Sequence, residues 1–293
     1  MEIKKVDPTI YSYRFSPYNR PTLYVDSGDT VQFEALDTYT NALTDEHTYL
    51  QDEMNPLSGP VYVRDAMPGD TLKITVEDIE VTGDATMFLE ESSMIFFGQF
   101  LERQTTVKIP IKDGYADMFG NKVKLDPMLG ILGIAPKEKT PTMFQGVYGG
   151  NMDCKKLTKG TILYLPVQVP GALLSTGDIH AKQGDGEIVC GLEVPGIITL
   201  KVEVIKDKAE PWPILETPDR WYVIASTDST DQSNWEAVDK MVKFVWNRTE
   251  RYTMAQLCAL CSICGDLEIC QVVDPLRTTR FGLDKDIIQD VVF

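Results

Sequence analysis

The sequence is poor in histidine and in basic residues. Of its 293 residues only two are histidine, and 28 Lys and Arg stand against 44 Asp and Glu, which gives a formal net charge of −16. A field of this sign repels phosphate backbones and anionic membrane surfaces, so we expect neither nucleic acid nor a membrane as a partner. Where the surplus carboxylates cluster, they favour a divalent cation instead.

Several familiar segments are also missing. No apolar run is long enough to span a bilayer, and the opening MEIKKVDPTIYSYRF lacks the apolar core of a signal peptide. We therefore expect a cytoplasmic protein whose six cysteines are free thiols. A phosphate-binding P-loop, a Gly-x-Gly-x-x-Gly fingerprint and a Gly-x-Ser-x-Gly elbow are absent too, which disfavours nucleotide-dependent chemistry and serine hydrolysis.

Short β-like runs separated by turns fill residues 21 to 125, with turns at Ser27-Gly28-Asp29 and Pro68-Gly69-Asp70. Hairpins are predicted at Asp113-Gly114, Gly120-Asn121 and Pro195-Gly196. This pattern indicates a mainly β fold, a sandwich or barrel, with a smaller α+β part at the C-terminal end. We expect two lobes packed as one unit, residues 1–140 and residues 141–293, with the second lobe carrying most of the site.

Two capping boxes predict helices near the end of the sequence. Ser233 with Glu236 is followed by an apolar face at three- and four-residue spacing, made of Trp235, Val238, Val242 and Val245. Thr253 with Gln256 opens a second helix that Gly265 terminates. Cys258, Cys261 and Cys264 resemble a metal pattern by spacing, but no partner pair completes a zinc site, and we interpret them as core residues.

The densest set of ligand-type side chains is GDIHAKQGDGE (177–187), with Asp178, His180, Asp185 and Glu187 among glycines. Asp178 and His180 are two residues apart, so on an extended backbone they project to the same side and can share one cation. Glu187 lies further on and is the candidate general base. The alternative is a polar hairpin loop with solvated carboxylates.

Two further segments supply candidates. In GGNMD, Asp153 is a candidate ligand or orienting carboxylate, and Asn151 is a candidate amide donor to a substrate carbonyl or oxyanion. Asp37 follows a predicted strand, where ligands are common, although it also fits the start of a turn. His47 is interpreted as an exposed loop residue. Cys154 has no obvious base nearby in the sequence, which disfavours a cysteine nucleophile.

These motifs resemble the acetamidase/formamidase family. The similar segments are LDTYTN (36–41), NPLSGPVYVRDAMPGD (55–70), GILGIAP (130–136), GGNMD (149–153), LYLPVQVPGALLSTGDIHAKQGDGE (163–187) and CGDLEICQVVDP (264–275). The resemblance implies a mainly β fold, hydrolysis of formamide- or acetamide-like substrates, and a metal-containing oligomer. It also implies that Asp37, Asp153 and His180 are ligands, with Asp178, Asp185 and Glu187 close by. Thr38 and Asn55 depart from the residues of many relatives, which have cysteine and, in some, histidine there.

The function predicted from the sequence is therefore metal-assisted hydrolysis of a small linear amide, with zinc the first expectation for the cation and calcium the second. The rival hypothesis is a non-catalytic protein of the same fold in which His180 and the carboxylates close a coordination shell. We also expect a homo-oligomer, a dimer or larger, because the apolar segment SMIFFGQF (93–100) suits a contact between copies.

Overall fold

The computed structural model describes residues 2–41, 54–89, 100 and 105–293. Two ten-stranded sheets and two helices are the main elements of these residues. With strands numbered in chain order, the first sheet runs from edge to edge as β1 (Lys4–Lys5), β5 (Thr30–Ala35), β21 (Gly196–Ile205), β7 (Thr71–Val81), β17 (Ile162–Pro166), β22 (Ile214–Glu216), β23 (Arg220–Thr227), β25 (Arg277–Asp284), β24 (Asp266–Gln271) and β19 (Gly186–Glu187).

The second sheet carries most of the residues discussed below. Its main path is β15 (Gln145–Gly146), β16 (Gly149–Asn151), β13 (Met128–Gly133), β18 (Leu174–His180), β20 (Glu193–Val194), β8 (Ala85–Leu89) and β9 (Thr105–Ile109). Off this path, β6 (Leu57–Val63) pairs with β18, and two short strands, β2 (Tyr11–Ser12) and β4 (Leu23–Val25), pair with β6. Two small sheets complete the set, β10 (Ile111–Lys112) with β11 (Tyr115–Met118) and β12 (Asn121–Lys124), and β14 (Thr140–Pro141) with β3 (Arg14–Phe15).

Burial differs between the two large sheets. Along β21 buried and half-buried residues alternate, as in a strand with one face on the core. Every residue of β13 and of β18 is buried, so these central strands are covered on both faces. A polar side chain on β18 is therefore held in an interior that water barely reaches. The mainly β fold predicted from the sequence is confirmed, and both large sheets take strands from either side of residue 140.

The predicted turns are present, but three of them join different sheets. The hairpins at Asp113-Gly114 and Gly120-Asn121 are confirmed, since β10, β11 and β12 pair antiparallel in sequence order. The hairpin predicted at Pro195-Gly196 is wrong. Its flanking strands do not pair with each other: β20 pairs with β18 and β8, whereas β21 pairs with β5 and β7. The turns between β4 and β5 and between β6 and β7 also lead from one sheet to the other.

The first helix, α1 (Thr230–Trp246), begins earlier than predicted. Its N-cap is Ser229, whose side chain accepts a hydrogen bond from the Gln232 amide. The capping box predicted at Ser233 is wrong, because Ser233 is buried and its hydroxyl donates to the Arg277 carbonyl oxygen at 2.7 Å. The predicted apolar face is shifted as well, since Trp235 is 76% exposed. The buried residues of this helix are Ser233, Ala237, Met241, Phe244 and Val245.

The second helix, α2 (Met254–Cys264), has the predicted ends. Thr253 and Gln256 form the complete capping box and Gly265 is the C-cap, which confirms both expectations. Of the three cysteines predicted to be core residues, only Cys261 is buried, and Cys258 is exposed. None of the helices in the described ranges is long and apolar enough to cross a membrane.

Two sequence predictions fall in stretches without a described structure. His47 lies between the described ranges 2–41 and 54–89. The segment proposed as an oligomer contact, 93–100, also lies outside the described residues, apart from Phe100, which is exposed. The oligomer therefore stays a prediction.

Candidate active site and metal-binding groups

His180 is at the centre of the candidate site, at the end of β18. The antiparallel pairing of β18 with β20 places His180 directly opposite Glu193. Its ring Nε2 lies 3.0 Å from Glu193 Oε1 and 3.5 Å from Asp178 Oδ2. The three side chains are buried, and their ligand atoms lie within 4.8 Å of one another. They form one group that could hold a metal ion.

A second group also includes His180. Nδ1 of His180 is 4.0 Å from Asp153 Oδ1. Asp153, His180 and Glu187 also bring ligand atoms within 4.8 Å of one another, and all three are buried. Asn151 lies next to this group, and its amide nitrogen donates to Asp274 Oδ2 at 2.7 Å. The donor that the sequence assigned to a substrate therefore has one of its hydrogens on a carboxylate of the protein.

The backbone around the two groups is held in an uncommon conformation. Asp153 has φ of 45° and Asp178 has φ of 55°, which place both in the left-handed region that non-glycine residues rarely adopt. Strain of this kind persists only where the surrounding structure maintains it, and it is concentrated at functional sites. Gly130 of β13, which has no side chain, leaves space between the carboxylates of Asp153 and Asp178. A Cβ there would lie 2.2 Å from Asp178 Oδ2 and 2.6 Å from Asp153 Oδ1.

The pKa values reflect burial of many acids around one base. Burial, and then the Asp178 charge, raises the pKa of Asp153 to about 6. Burial also raises the pKa of Glu193 to about 8. For Glu187 and for Asp274, burial followed by the nearby Asp153 charge raises the pKa well above the usual range.

The pKa values of His180 and Asp178 shift in the direction opposite to the one that burial alone would cause. Burial alone would lower the pKa of His180, but the charges of Glu193 and Asp178 outweigh it and hold that pKa well above the usual value. Burial would raise the pKa of Asp178, but the His180 charge and hydrogen bonds lower it below the usual value. His180 thus bonds most strongly to Asp178 and Glu193 when it is a cation.

The chemistry of these groups fits a divalent cation. Among the described residues, Asp153 Oδ1, Glu187 Oε2 and Glu193 Oε2 are buried oxygens without a hydrogen-bond partner. Buried carboxylate oxygens are normally paired, since an unpaired one carries a large desolvation penalty. Imidazole nitrogen with carboxylate oxygen is a ligand set that zinc accepts. The unpartnered oxygens are the observation that a bound cation would account for.

Two predicted ligands are placed elsewhere by the structure. Asp37 starts a turn, and its Oδ1 accepts from the backbone amides of Tyr39 at 3.0 Å and Asn41 at 2.6 Å. Asp185 binds Arg280 Nη2 at 2.7 Å and Lys155 Nζ at 2.7 Å. Neither belongs to the two ligand groups found among the described residues.

Glu193 and Asp274 were missed by the sequence reasoning. Glu193 lies in a Leu-Glu-Val run that reads as an ordinary strand, and only its register with His180 gives it a role. Asp274 meets Asn151 across 123 residues of sequence. Its one sequence signal is its place in the CGDLEICQVVDP segment.

The two positions that depart from the family pattern are in contact with each other. The Thr38 hydroxyl donates to Asn55 Oδ1, and both side chains are buried. The Thr38 side chain also interacts with Asp178 and contributes to the lowered pKa of that carboxyl. These departures therefore adjoin the group that contains Asp178.

Two apolar cavities lie along the helices rather than at these groups. One of about 400 Å³ is beside α2, and another of about 310 Å³ is beside α1 and β24. Neither is lined by a member of the two ligand groups.

Comparison of the chain with known proteins identifies its family. The sequence model of the acetamidase/formamidase family matches residues 4–147 and 145–276. The chain belongs to the acetamidase/formamidase family. Both ligand groups and Asp274 fall within the matched residues.

Solved structures of acetamidase/formamidase relatives share the whole fold. A predicted acetamidase/formamidase from Thermoanaerobacter tengcongensis is 34% identical, and the match covers 99% of this chain and 98% of that one with a TM-score of 0.94. An acetamidase from Bacillus halodurans is 35% identical, with coverage of 99% of this chain and 100% of that one and a TM-score of 0.94.

A relative is also found by sequence alone. A putative formamidase of Schizosaccharomyces pombe is 28% identical over 255 residues, and the match spans 61% of that protein's length.

Proposed function

We propose that this protein hydrolyses a small linear amide, of the formamide or acetamide type, to ammonia and a carboxylate with the help of a divalent cation at His180. One observation carries the proposal. Glu187, a carboxyl group with a raised pKa and an unpartnered Oε2, is buried against a histidine and further acids in a member of an amidase family. A carboxylate with a raised pKa is suited to exchange protons near neutral pH.

The cation would be held by His180 with carboxylates from the two groups, and we propose zinc first and calcium second. When bound, such an ion lowers the pKa of water and polarises a carbonyl oxygen. Asp37 and Asp185 stay candidate ligands from the sequence, although their present partners are backbone amides for the first and Arg280 with Lys155 for the second.

The protein groups account for the proton transfers. Glu187 Oε2 accepts a proton from water as the water oxygen bonds to the amide carbon. Asn151 has one amide hydrogen on Asp274, and its second can donate to the carbonyl oxygen as negative charge develops there. Protonated Glu187 then delivers the proton to the nitrogen, the carbon–nitrogen bond breaks, and ammonia leaves. Asp274 positions Asn151 and does not itself need to contact the substrate.

The test replaces the proposed base and leaves its shape. Glu187→Gln is expected to lower the rate of ammonia release from formamide, acetamide or propionamide by roughly 10²–10⁴-fold, because an amide cannot accept the proton. Metal content, measured on the same samples, is expected to stay that of the wild type. The matched control is Glu210→Gln, an equally buried glutamate that pairs with Arg248 outside the site. It is expected to lower stability without lowering the rate per folded molecule.

The rival hypothesis, a non-catalytic metal-binding protein, gives a different result. It predicts that fully metallated wild-type protein releases no ammonia from any of the three amides. An active Glu187→Gln variant would leave the hydrolase in place but remove Glu187 from its mechanism.

We further propose a cytoplasmic homo-oligomer. The first part rests on the described cysteines, all six of which are free thiols. The second part is checked by light scattering, and a mass of 32.9 kDa at every concentration would reject it.

A further inference from the structure

The two ligand groups share one imidazole, so one ring cannot place a cation in both. The ring nitrogens face different groups. Nε2 lies against Asp178 and Glu193, and Nδ1 lies on the side of Asp153. A neutral imidazole has one protonated nitrogen and one free lone pair. The position of that proton therefore decides which group can bind a metal through His180.

Gln183 contacts the ring and has hydrogen-bond partners of its own. Its Oε1 lies 2.5 Å from His180 Nδ1. Its amide nitrogen donates to the Asp153 carbonyl oxygen at 2.8 Å and lies 3.4 Å from the Cys270 carbonyl oxygen. Carbonyl oxygens accept hydrogen bonds and cannot donate them, so the end of the amide that faces them has to be the NH₂ group. The end that faces His180 is then the oxygen, which requires a proton on Nδ1.

We propose that Gln183 is a positioning residue that holds the Nδ1 proton of His180, so that the cation is bound by Nε2 together with Asp178 and Glu193. This inference deepens the proposed function and rests on its cation. It divides the buried acids between two tasks. Asp178 and Glu193 hold the ion, while Asp153, Glu187 and Asp274 remain available for proton transfer and for positioning Asn151.

The orientation of the ligands supports this division. Glu193 Oε1 also accepts from the Gly191 amide at 3.1 Å, which fixes the carboxylate against the ring, while its Oε2 is unpartnered. Gly191 lets the chain pass close to the imidazole, since a Cβ there would lie 2.4 Å from His180 Cγ. Hydrogen bonding of the non-ligating nitrogen of a metal-binding histidine is the usual way in which a protein fixes its ring.

The first experiment reads the ring nitrogens directly. The chain has only two histidines, so protein labelled with ¹⁵N-histidine gives a spectrum of four ring nitrogens, and His47→Gln identifies those of His180. Long-range proton–nitrogen correlations distinguish Nε2, which couples to both carbon-bound protons, from Nδ1. On addition of zinc to metal-free protein we expect Nε2 to shift to a metal-bound value while Nδ1 stays protonated. A metal-bound Nδ1, or no zinc-dependent shift of either nitrogen, would overturn the proposal.

The second experiment compares two buried glutamates, Glu193 and Glu187, one from each ligand group. Each has an unpartnered Oε2. Zinc affinity, measured by competition with a chelating dye, is expected to fall in Glu193→Gln and to change little in Glu187→Gln. A larger loss of zinc affinity in Glu187→Gln than in Glu193→Gln would place the ion in the group of Asp153, His180 and Glu187 and overturn the proposal.

The third experiment tests Gln183 itself. Gln183→Met removes the hydrogen bonds of the Gln183 amide with little change in size and is expected to lower zinc affinity by roughly 10–100-fold, as loss of an outer ligand partner does. Gln145→Met is the control, because Gln145 is at least as well enclosed as the half-buried Gln183 and donates to the Leu276 carbonyl oxygen and to the Thr278 hydroxyl. It is expected to retain wild-type affinity, and equal losses in both variants would reduce Gln183 to a structural role.

These readouts separate the inference from the proposed function. Protein that binds zinc through Nε2 but releases no ammonia would retain the inference and reject the hydrolase. Protein that releases ammonia while zinc binds through Nδ1 would retain the hydrolase and reject the inference.

Discussion

Two buried charged clusters in this protein are built in opposite ways. Arg280 is fully buried, and its guanidinium bonds to Glu268 Oε2 at 2.5 Å and to Asp185 Oδ1 at 2.7 Å. The Cys270 sulfur lies 3.6 Å from its Nη1. Around His180, in contrast, five buried carboxylates surround one imidazole, and three of their oxygens have no partner among the described residues. The carboxylates are Asp153, Asp178, Glu187, Glu193 and Asp274.

The difference separates a structural ion pair from a site prepared for a ligand. Arg280 and Lys155 balance the two partly exposed carboxylates of Asp185 and Glu268, so this cluster is neutral and nothing needs to bind there. A group of buried acids with one base stays unfavourable until protons or a cation neutralise it. Burial and charge alone do not indicate a functional site. Buried charge that no opposite charge of the protein neutralises does indicate one.

The largest expected effect comes from breaking the balanced cluster. Arg280→Met is expected to lower the free energy of unfolding by roughly 3–5 kcal/mol, near the lower end because Asp185 and Glu268 are partly exposed and can regain water. Urea denaturation of metal-free protein measures this. Glu193→Gln, measured in parallel at about pH 9, above the pKa of about 8 of Glu193, is expected to leave stability unchanged or to raise it, since it removes an unbalanced charge. Equal losses in the two variants would contradict the contrast between the clusters.

The second effect is a pH dependence of the metal-free protein. Folding raises the pKa of Asp153 to about 6 and that of Glu193 to about 8, so the folded state binds protons that the unfolded state releases. The resulting stability is complete below the unfolded values near 4 and is lost as pH rises through 6 and then 8. We expect the free energy of unfolding to fall by roughly 2–4 kcal/mol between about pH 5 and pH 9.

Urea denaturation across that range, with a chelator present, tests the pH dependence. Saturating zinc is expected to remove most of the dependence of the free energy of unfolding on pH, because the bound ion neutralises the buried acids in place of protons. A stability that rises with pH in metal-free protein would show that these acids are ionised without a penalty.

A smaller effect is expected from filling the space between the carboxylates. In Gly130→Ala the new methyl group meets Asp178 Oδ2 and Asp153 Oδ1, so overpacking is expected to cost roughly 1–3 kcal/mol and to weaken zinc binding. Gly184→Ala is the matched control, since a Cβ there meets nothing within 4 Å. Calorimetric zinc titration and thermal unfolding measure both variants. Wild-type zinc affinity in Gly130→Ala would show that the ion does not use Asp178 Oδ2.

The smallest effect concerns Asp185, which the sequence assigned to the metal. Its side chain is 32% exposed and pairs with Arg280 and Lys155. Asp185→Asn is therefore expected to cost about 1 kcal/mol or less and to leave zinc affinity unchanged. His180→Ala, which is expected to lose most of the metal, sets the scale. A comparable loss of zinc in Asp185→Asn would restore Asp185 to the ligand set.

Local signals in the sequence predicted local structure well. The Thr253–Gln256 capping box and the two hairpins after residue 110 are confirmed because each depends on a few neighbouring residues. The first capping box was wrong because the Ser233 hydroxyl bonds to a carbonyl 44 residues away. The turn at Pro195-Gly196 is present, but a turn alone does not decide whether its two strands pair or enter different sheets.

The same limit applies to the candidate site. Asp178 and His180 could be grouped from the sequence because they share a strand two residues apart. Glu193 joins them only through strand register, and Asp274 reaches Asn151 only once β24 is in place. The pairing of Asp185 with Arg280 could not be predicted from the sequence, because Arg280 lies 95 residues further along the chain.

The pairing of β18 with β20 has a consequence for the order of folding. Asp178, His180 and Glu193 lie within one short stretch, so this antiparallel pair can bring them together early. The bond between Asn151 and Asp274 must instead close a loop of 123 residues, and the parallel pairing of β19 with β24 beside it is also long-range. During refolding, uptake of zinc should therefore precede recovery of ammonia release, and the interval between them would report how long the second half of the site takes to assemble.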